Sequence, residues 1–140
     1  MARNNRVSVQ GDITGDIYYD VLQLANKPLP FLRVYMMING TREAKEVKGL
    51  RIVFYGILAE LAEAYLQKGS RIEVEGHIQV RQTREDGIVV EVVAEDVDFI
   101  RNVDYPKGRK RYAELSTAGK LNPSPEGAGA NLAMVIEAWA

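Results

Sequence analysis

The chain has 140 residues, enough for one domain with a single core, and its 18 basic residues nearly balance its 19 acidic ones, so bulk charge indicates no partner. It has no cysteine and a single histidine, His77, which excludes a disulfide framework, a thiolate metal site and a histidine cluster. The polar N-terminus and the lack of a long apolar run predict a soluble cytoplasmic protein with no signal peptide, membrane span, metal or cofactor.

Alternation of apolar and polar residues predicts three strands in the first part of the chain. Residues 5–13 alternate and are followed by the turn residues 14–16, whereas residues 17–24 fit either a continued strand or a short connection. Residues 31–38 and 50–55 alternate clearly. We therefore expect three half-buried strands.

The charged segment 41–49 joins the second and third strands. A solvated hairpin connection is the simplest interpretation, and a partly basic loop beside a binding face is the other.

The middle of the chain switches from strand to helix and back. Residues 57–67 place Leu58, Leu61 and Tyr65 on one helical face, and Lys68-Gly69 is typical of a helix end. Residues 71–83 and 88–100 then predict two long strands around the turn 85–87, ending in a projecting hairpin. The double apolar runs in the last strand predict burial on both faces over part of its length.

The pattern fades after Arg101. Residues 105–112 form a basic cluster bracketed by two tyrosines, and residues 116–131 have the composition of a flexible tail. Residues 132–140 are short and apolar, include Trp139, and are too few to fold alone. We therefore expect a folded domain over residues 1–104 and a basic cluster with a flexible tail over residues 105–140.

Five strands with one helix between the third and fourth is the order of an OB-fold, an all-β Greek-key barrel. A ferredoxin-like fold needs a second helix, and the sequence gives no clear signal for one.

Several motifs also resemble the bacterial and phage single-stranded DNA-binding protein family. These are Asn5-Arg-Val-Ser-Val-Gln-Gly-Asp-Ile13, Phe54-Tyr-Gly56, Tyr65-Leu-Gln-Lys-Gly-Ser70 and Glu75-Gly-His-Ile-Gln-Val-Arg81. The resemblance covers roughly residues 5–101. It implies sequence-tolerant binding of single-stranded DNA in replication, recombination or repair, with association near the nucleoid. It also implies a homodimer or homotetramer paired through first strands, and contacts with replication or repair proteins.

Binding of single strands requires aromatic faces for stacking and a basic groove for phosphates. Tyr55 matches the stacking aromatic at the end of the family's third strand. The candidate residues on the strands and the hairpin are Arg33, Tyr35, Arg51, Tyr55, Arg71, His77, Gln79, Arg81 and Arg84. The basic cluster adds Lys107, Arg109, Lys110 and Arg111.

Each of these positions also has a simpler interpretation. Tyr35 can pack in the barrel or an interface, and Arg71 can belong to a solvated row of cross-strand ion pairs. His77 can be an incidental strand residue, and the cluster at 107–111 can serve solubility. The sequence leaves the binding role and the simpler role open at these positions.

The chain departs from the family at three places. Gly49 and Thr83 stand where the usual member has aromatic residues, and the acidic tail with an apolar tip is absent in standard form, with Glu126 and Glu137 the only acidic residues after position 120. Stacking is then weaker, or Tyr35 contributes to it. Residues 134–139 are a candidate for a divergent docking tip.

Two further functions are considered. An OB-fold accessory protein, similar to a primosomal subunit, fits the missing aromatics and acidic tail. An enzyme is disfavoured, because carboxylate pairs such as Glu73/Glu75 occur without a nucleophile–base pair or a phosphate loop.

Overall fold

The computed structural model describes residues 4–25, 27–39 and 49–120. The elements in chain order are β1 (Val7–Leu24), β2 (Lys27–Ile38), β3 (Leu50–Tyr55), α1 (Gly56–Tyr65), β4 (Arg71–Thr83), β5 (Gly87–Arg101) and α2 (Tyr105–Thr117). The expectations for most of the charged loop, for the end of the tail and for the apolar segment with Trp139 fall on residues outside these ranges.

The five strands form a closed barrel in the order β1-β2-β3-β5-β4. The β3–β5 pair is parallel and all the others are antiparallel. The seam between β1 and β4 runs from Val7 opposite Gly76 to Asp12 opposite Arg71. The Asn5 side chain extends it with two hydrogen bonds to the backbone of Ile78. This strand order, with α1 between β3 and β4, confirms the predicted OB-fold.

The inward face of each strand supplies the core, as the alternation predicts. Leu32, Val34 and Met36 of β2 are fully buried. Ile52 and Phe54 of β3 lie beside them, and α1 closes the barrel with its own apolar face. The candidate binding residues lie at the opposite positions of these strands, where Arg33, Tyr35 and Tyr55 are partly exposed and Val53 is fully buried.

β1 is one continuous strand rather than a strand followed by a connection. Its register against β2 shifts between Thr14 and Tyr18, so residues 15–17 form a bulge and the strand continues through the predicted turn. Gly11 allows the strands to approach closely, since a Cβ there would overlap the carbonyl oxygen of Met37. The bulge brings Tyr18 to the outward side of the barrel, opposite Arg33.

α1 ends at Tyr65, before the Lys68-Gly69 pair that was predicted to stop it. Leu66 is already extended, and the carbonyl oxygen of Tyr65 accepts a hydrogen bond from the N–H of Asp104. Gly69, with φ +90°, forms the turn after the helix and donates its N–H to Ile13. The helix end is therefore fixed by tertiary contacts.

The long β4–β5 hairpin is present, but the prediction of burial for β5 is only partly correct. Val92 and Ala94 are buried, and Val93 on the other face is half-buried. Ile88 is 73% exposed and Val90 is 54% exposed, because this end of the hairpin extends past the barrel and has no packing partner among the described residues.

α2 was not predicted, and it corrects the expectation that the chain has no clear second helix: the basic cluster at 105–112 is helical. Asp104 caps its first turn by accepting a hydrogen bond from the N–H of Lys107. Gly108 packs directly against the ring of Tyr65, and Leu115 is buried. Docking on α1 therefore stabilises a segment whose own sequence is mostly polar. Neither described helix is long and apolar enough to cross a membrane.

Candidate nucleic-acid interface

The outward side of β2 carries an arginine that lies against two tyrosine rings. The guanidinium carbon of Arg33 is 4.8 Å from the ring centroid of Tyr18 and 6.0 Å from that of Tyr35. Contacts of this kind stabilise by about 0.5–1 kcal/mol at exposed sites. Tyr18 is 43% exposed and Tyr35 is half-buried, so both rings keep part of their surface open to solvent.

Tyr55, at the end of β3, joins this group through Phe31. The ring centroids of Phe31 and Tyr55 are 5.3 Å apart, and those of Phe31 and Tyr18 are 6.3 Å apart in an edge-to-face arrangement. Burial raises the pKa of Tyr55, and the nearby carboxylate of Glu91 raises it further. The phenol therefore stays neutral at physiological pH.

Beside Tyr55, four side chains form what we call the paired-arginine cluster: Arg51, Gln79, Arg81 and Glu91. The Glu91 side chain has no exposed surface, and its Oε2 accepts hydrogen bonds from Arg81 Nε at 2.8 Å and Gln79 Nε2 at 2.8 Å. Arg51 Nε lies 3.0 Å from the other carboxylate oxygen. The hydrogen bond to Glu91 raises the pKa of Arg81. Both arginines are thus fixed by one buried acid.

Together these residues form one connected group across several strands, in which Phe31 is buried beneath the tyrosine rings and Arg51 is nearly buried. We call it the aromatic–arginine face; its members are Tyr18, Phe31, Arg33, Tyr35, Arg51, Tyr55, Gln79 and Arg81. Six of the eight were predicted from the sequence, and the barrel brings them together through the β2–β3 pairs Phe31–Tyr55 and Tyr35–Arg51.

His77 and Arg84 lie along the hairpin that borders this face. His77 Nδ1 is 2.6 Å from the Glu95 carboxylate, so its ring is already engaged. Arg84 is exposed near the hairpin tip and makes no hydrogen bond or ion pair with any described residue. Of the two, Arg84 is therefore the side chain whose charge is open to a ligand.

Arg71 lies at the opposite end of β4, about 20 Å along the strand from His77. Its guanidinium pairs with Asp12 at 3.1 Å and donates to Asn39 Oδ1 at 2.6 Å. These contacts match the ion-pair interpretation of Arg71 and place it at the β1–β4 seam.

Two of the four basic-cluster residues are engaged with α1. Lys107 Nζ lies 3.2 Å from one oxygen of Glu63, and Arg111 Nη1 lies 3.1 Å from the other. Arg111 also donates to the backbone oxygen of Glu60 at 3.0 Å. Lys107 and Arg111 therefore hold the two helices together.

The other two residues of the basic cluster point away from this contact. Arg109 lies over the ring of Tyr105, with its guanidinium carbon 5.7 Å from the centroid. Lys110 is exposed, with no hydrogen bond or ion pair to the described residues. No contact among the described residues joins either side chain to the aromatic–arginine face.

The structure explains why an aromatic residue is absent at position 49. Gly49 has φ +111°, and a Cβ there would lie 2.7 Å from the carbonyl oxygen of Met36. This backbone therefore accommodates no side chain at that position. Thr83 instead stabilises the hairpin turn by accepting a hydrogen bond from the N–H of Asp86 at 2.9 Å.

Sequence reasoning missed three residues of this region. Tyr18 and Phe31 were missed because the turn residues before Tyr18 hid the continuation of β1 and because Phe31 stands at a strand start. Glu91 had a signal: it is a single charge between Val90 and Val92 in an apolar run, a position that requires a buried partner.

The chemistry of the surface is that of a binding site. It presents π faces, guanidinium groups and an amide. In the described ranges no three histidine or carboxylate side chains are grouped so that they can hold a metal ion. Residues 4–100, more than half of the chain, match the family model described as "Single-strand binding protein family".

Proposed function

Because the chain belongs to the single-strand binding protein family, a non-catalytic DNA-binding family, we propose that it binds single-stranded DNA without sequence preference through the aromatic–arginine face. The observation that supports this most is the pair of tyrosine rings, Tyr18 and Tyr55, which pack on the buried ring of Phe31 with guanidinium groups beside them. Stacking accepts any base, since every base has a π face.

We assign the contacts by the freedom of each side chain. Tyr18, Tyr35 and Tyr55 stack bases, and Arg33 lines the path between the rings. Arg84 extends the path along the hairpin, whereas the ring of His77 is engaged with Glu95 and makes no contact with the single strand. Arg71, Lys107 and Arg111 lie outside the proposed interface, because their contacts are with the protein itself. Arg109 and Lys110 lie outside it because no contact among the described residues joins them to the aromatic–arginine face.

The test is a titration of fluorescent oligothymidine, its duplex and an RNA of equal length at two salt concentrations. We expect binding that selects the single strand and weakens with salt. Absence of binding to oligothymidine at low salt would contradict the proposal.

The variant Tyr55→Ala tests whether single-stranded DNA binds at the aromatic–arginine face. Loss of one stacked base costs about 1–3 kcal/mol, which corresponds to roughly 5-fold to 150-fold weaker binding of oligothymidine. Tyr105→Ala is the control for loss of a tyrosine ring, because Tyr105 is exposed on α2, away from the half-buried Tyr55. If Tyr105→Ala weakens binding as much as Tyr55→Ala, the interface lies elsewhere.

We further propose that the protein acts as a homodimer or homotetramer. β1 pairs with β4 from Val7 onward, whereas its pairing with β2 begins only at Gly11, so within residues 4–25, 27–39 and 49–120 no strand pairs with the other edge of Val7–Val9. An open edge is a template for pairing with a second copy. Light scattering on the purified protein measures the state, and a monomer at micromolar concentration would contradict this part.

Protection of single strands in replication, recombination or repair, contacts with proteins of those processes and association with the nucleoid belong to the same proposal. They follow from the family's binding activity. Co-purification from cells before and after DNA damage, with nuclease-treated controls, tests them.

Two observations favour a second function, an OB-fold accessory protein with weak nucleic-acid binding. Glu91 already pairs with Arg51 and Arg81, and Gly49 accepts no aromatic side chain, so both phosphate contact and stacking are reduced. Weak binding of oligothymidine together with tight binding of a replication protein would support this alternative.

A further inference from the structure

The paired-arginine cluster contains a carboxylate that a simple polyanion-binding surface would not need. Glu91 is the only charged side chain among the described residues that is fully buried. It lies next to Tyr55, and its negative charge raises the pKa of that phenol. Placed in the middle of an anion-binding surface, a buried acid opposes the charge of the ligand.

The described polar partners of the Glu91 carboxylate all belong to the aromatic–arginine face. Arg81 contacts both carboxylate oxygens, at 2.8 Å through Nε and at 3.3 Å through Nη2. Gln79 and Arg51 complete the set at 2.8 Å and 3.0 Å. A second acid, Asp86, lies 3.7 Å from Arg51 Nη1. The two guanidinium charges are therefore largely balanced before any ligand arrives.

A buried carboxylate is tolerated only when charge and hydrogen bonds satisfy it. The two hydrogen bonds of Arg81 to Glu91 fix the orientation of its guanidinium group, and the ion pairs of Arg51 hold its guanidinium group near Glu91 and Asp86. Arg51 is only 11% exposed in its side chain, and Arg81 is 36% exposed, so neither can turn freely towards a phosphate.

We propose that Glu91 is a positioning residue for single-strand binding. It holds Arg51, Arg81 and Gln79 beside Tyr55 and neutralises the charge of the two arginines, so that base stacking contributes more to binding there than phosphate neutralisation does. This inference rests on the proposed function. It adds that the two arginines contribute little to the salt dependence of binding, although they lie in the interface.

Glu91→Gln tests the inference, because the amide keeps the size of the side chain and removes its charge. Each released arginine that neutralises a phosphate steepens the slope of log K against log salt by about 0.7 for single strands. Fourfold dilution of salt should then raise the oligothymidine affinity of the variant roughly 2.5-fold more than that of the unaltered protein. Asp98→Asn, the same charge change at an exposed position of β5, is the matched control.

A steeper slope in Glu91→Gln with an unchanged slope in Asp98→Asn supports the inference. Equal slopes in Glu91→Gln and the unaltered protein overturn it, as does equal steepening in both variants, which would indicate a general charge effect. Failure of the proposed function gives a different result, which is absence of oligothymidine binding by the unaltered protein. The inference about Glu91 then fails as well.

A second variant keeps the test decisive if Glu91→Gln does not fold. Arg81→Gln removes a half-exposed partner and leaves Glu91 with Arg51 and Gln79. We expect weaker binding by the same factor at every salt concentration, so the slope stays parallel to that of the unaltered protein. A slope that becomes shallower by about 0.7 means that Arg81 already neutralises a phosphate, and overturns the inference.

Discussion

Asp96 shows how one side chain on the outer wall of the barrel stores unfavourable energy. It faces Glu75 directly across the β4–β5 ladder, and Asp98 is two residues away on the same strand. Burial raises the pKa of Asp96, and the carboxylates of Asp98 and Glu75 raise it further, against a lowering by the N–H of Val97. Like charges in directly opposite positions destabilise a sheet.

The sign of the pH dependence follows from this shift. The carboxyl loses its proton at about pH 3.8 in the unfolded chain and at a higher pH in the folded protein. Between the two values the folded state binds more protons, so this group lowers the free energy of unfolding as pH rises through its folded pKa, and the loss is complete at neutral pH.

We therefore expect Asp96→Asn to raise the free energy of unfolding at pH 7 by about 0.5 kcal/mol. The amide oxygen still accepts the hydrogen bond from Val97, so only the charge is lost. The gain should vanish at pH 3. Urea denaturation at both pH values measures it, with Asp16→Asn at the exposed β1 bulge as the control. A loss of stability at pH 7 would contradict the prediction.

At the scale of elements, one contact between α2 and α1 leaves no room for a side chain. Gly108 lies against Tyr65, and a Cβ there would overlap the ring carbons. The Tyr65 ring is also stacked on Phe99, with centroids 4.3 Å apart, which limits its freedom to move aside. A glycine that is unfavourable for the isolated helix is therefore required for its docking.

This gives a prediction opposite to helix propensity. In an exposed helix, Gly→Ala stabilises by about 1 kcal/mol, whereas Gly108→Ala should destabilise the protein by about 1–3 kcal/mol through overpacking. Thermal denaturation and amide exchange in α2 measure the effect. Lys110→Ala, at an exposed position of the same helix, is the control and should change stability by less than about 0.5 kcal/mol. A stabilised Gly108→Ala protein would show that α2 docks differently.

The elements that could be predicted are those whose buried face follows from the spacing of apolar residues within the element. β2 alternates through Leu32, Val34 and Met36, and α1 presents Leu58 and Leu61 at helical spacing, so both could be assigned locally. α2 could not, because its apolar contacts are few and its key residue, Gly108, signals a turn unless the facing Tyr65 is known.

The aromatic–arginine face was also only partly predictable from the sequence. Outward positions on β2 and β3 follow from alternation alone, which located Arg33, Tyr35, Arg51 and Tyr55. The partners of those residues depend on which strands become neighbours. The parallel β3–β5 pairing places Glu91 beside Arg51, and no local pattern reveals such a pairing.

At the scale of the whole molecule, acidic and basic side chains lie on different parts of the surface and nearly cancel. The net charge is −1 at pH 7. The outer wall of β4 and β5 carries facing acids, Glu73 opposite Asp98 and Glu75 opposite Asp96, while free cations such as Arg84 and Lys110 lie at the hairpin and on α2. The field around the protein therefore gives little long-range attraction to a polyanion.

We expect the association rate constant for oligothymidine to fall less than about tenfold between roughly 50 and 500 mM salt, below the range of strongly steered partners. Stopped-flow fluorescence measures it. A much steeper fall would reveal a local basic field. Comparison with an Arg109→Gln/Lys110→Gln double variant would then show whether α2 produces it.

The seam between β1 and β4 has a consequence for how the protein folds. β1 pairs with β2 soon after both are made, but its partner β4 follows only after β2, β3 and α1. Closing the barrel therefore requires the ends of a long loop to meet, and such non-local pairing slows folding. The β1–β2 and β4–β5 hairpins are local and can form first. During synthesis, the first strand must wait with one edge unpaired until nearly all of the barrel has left the ribosome.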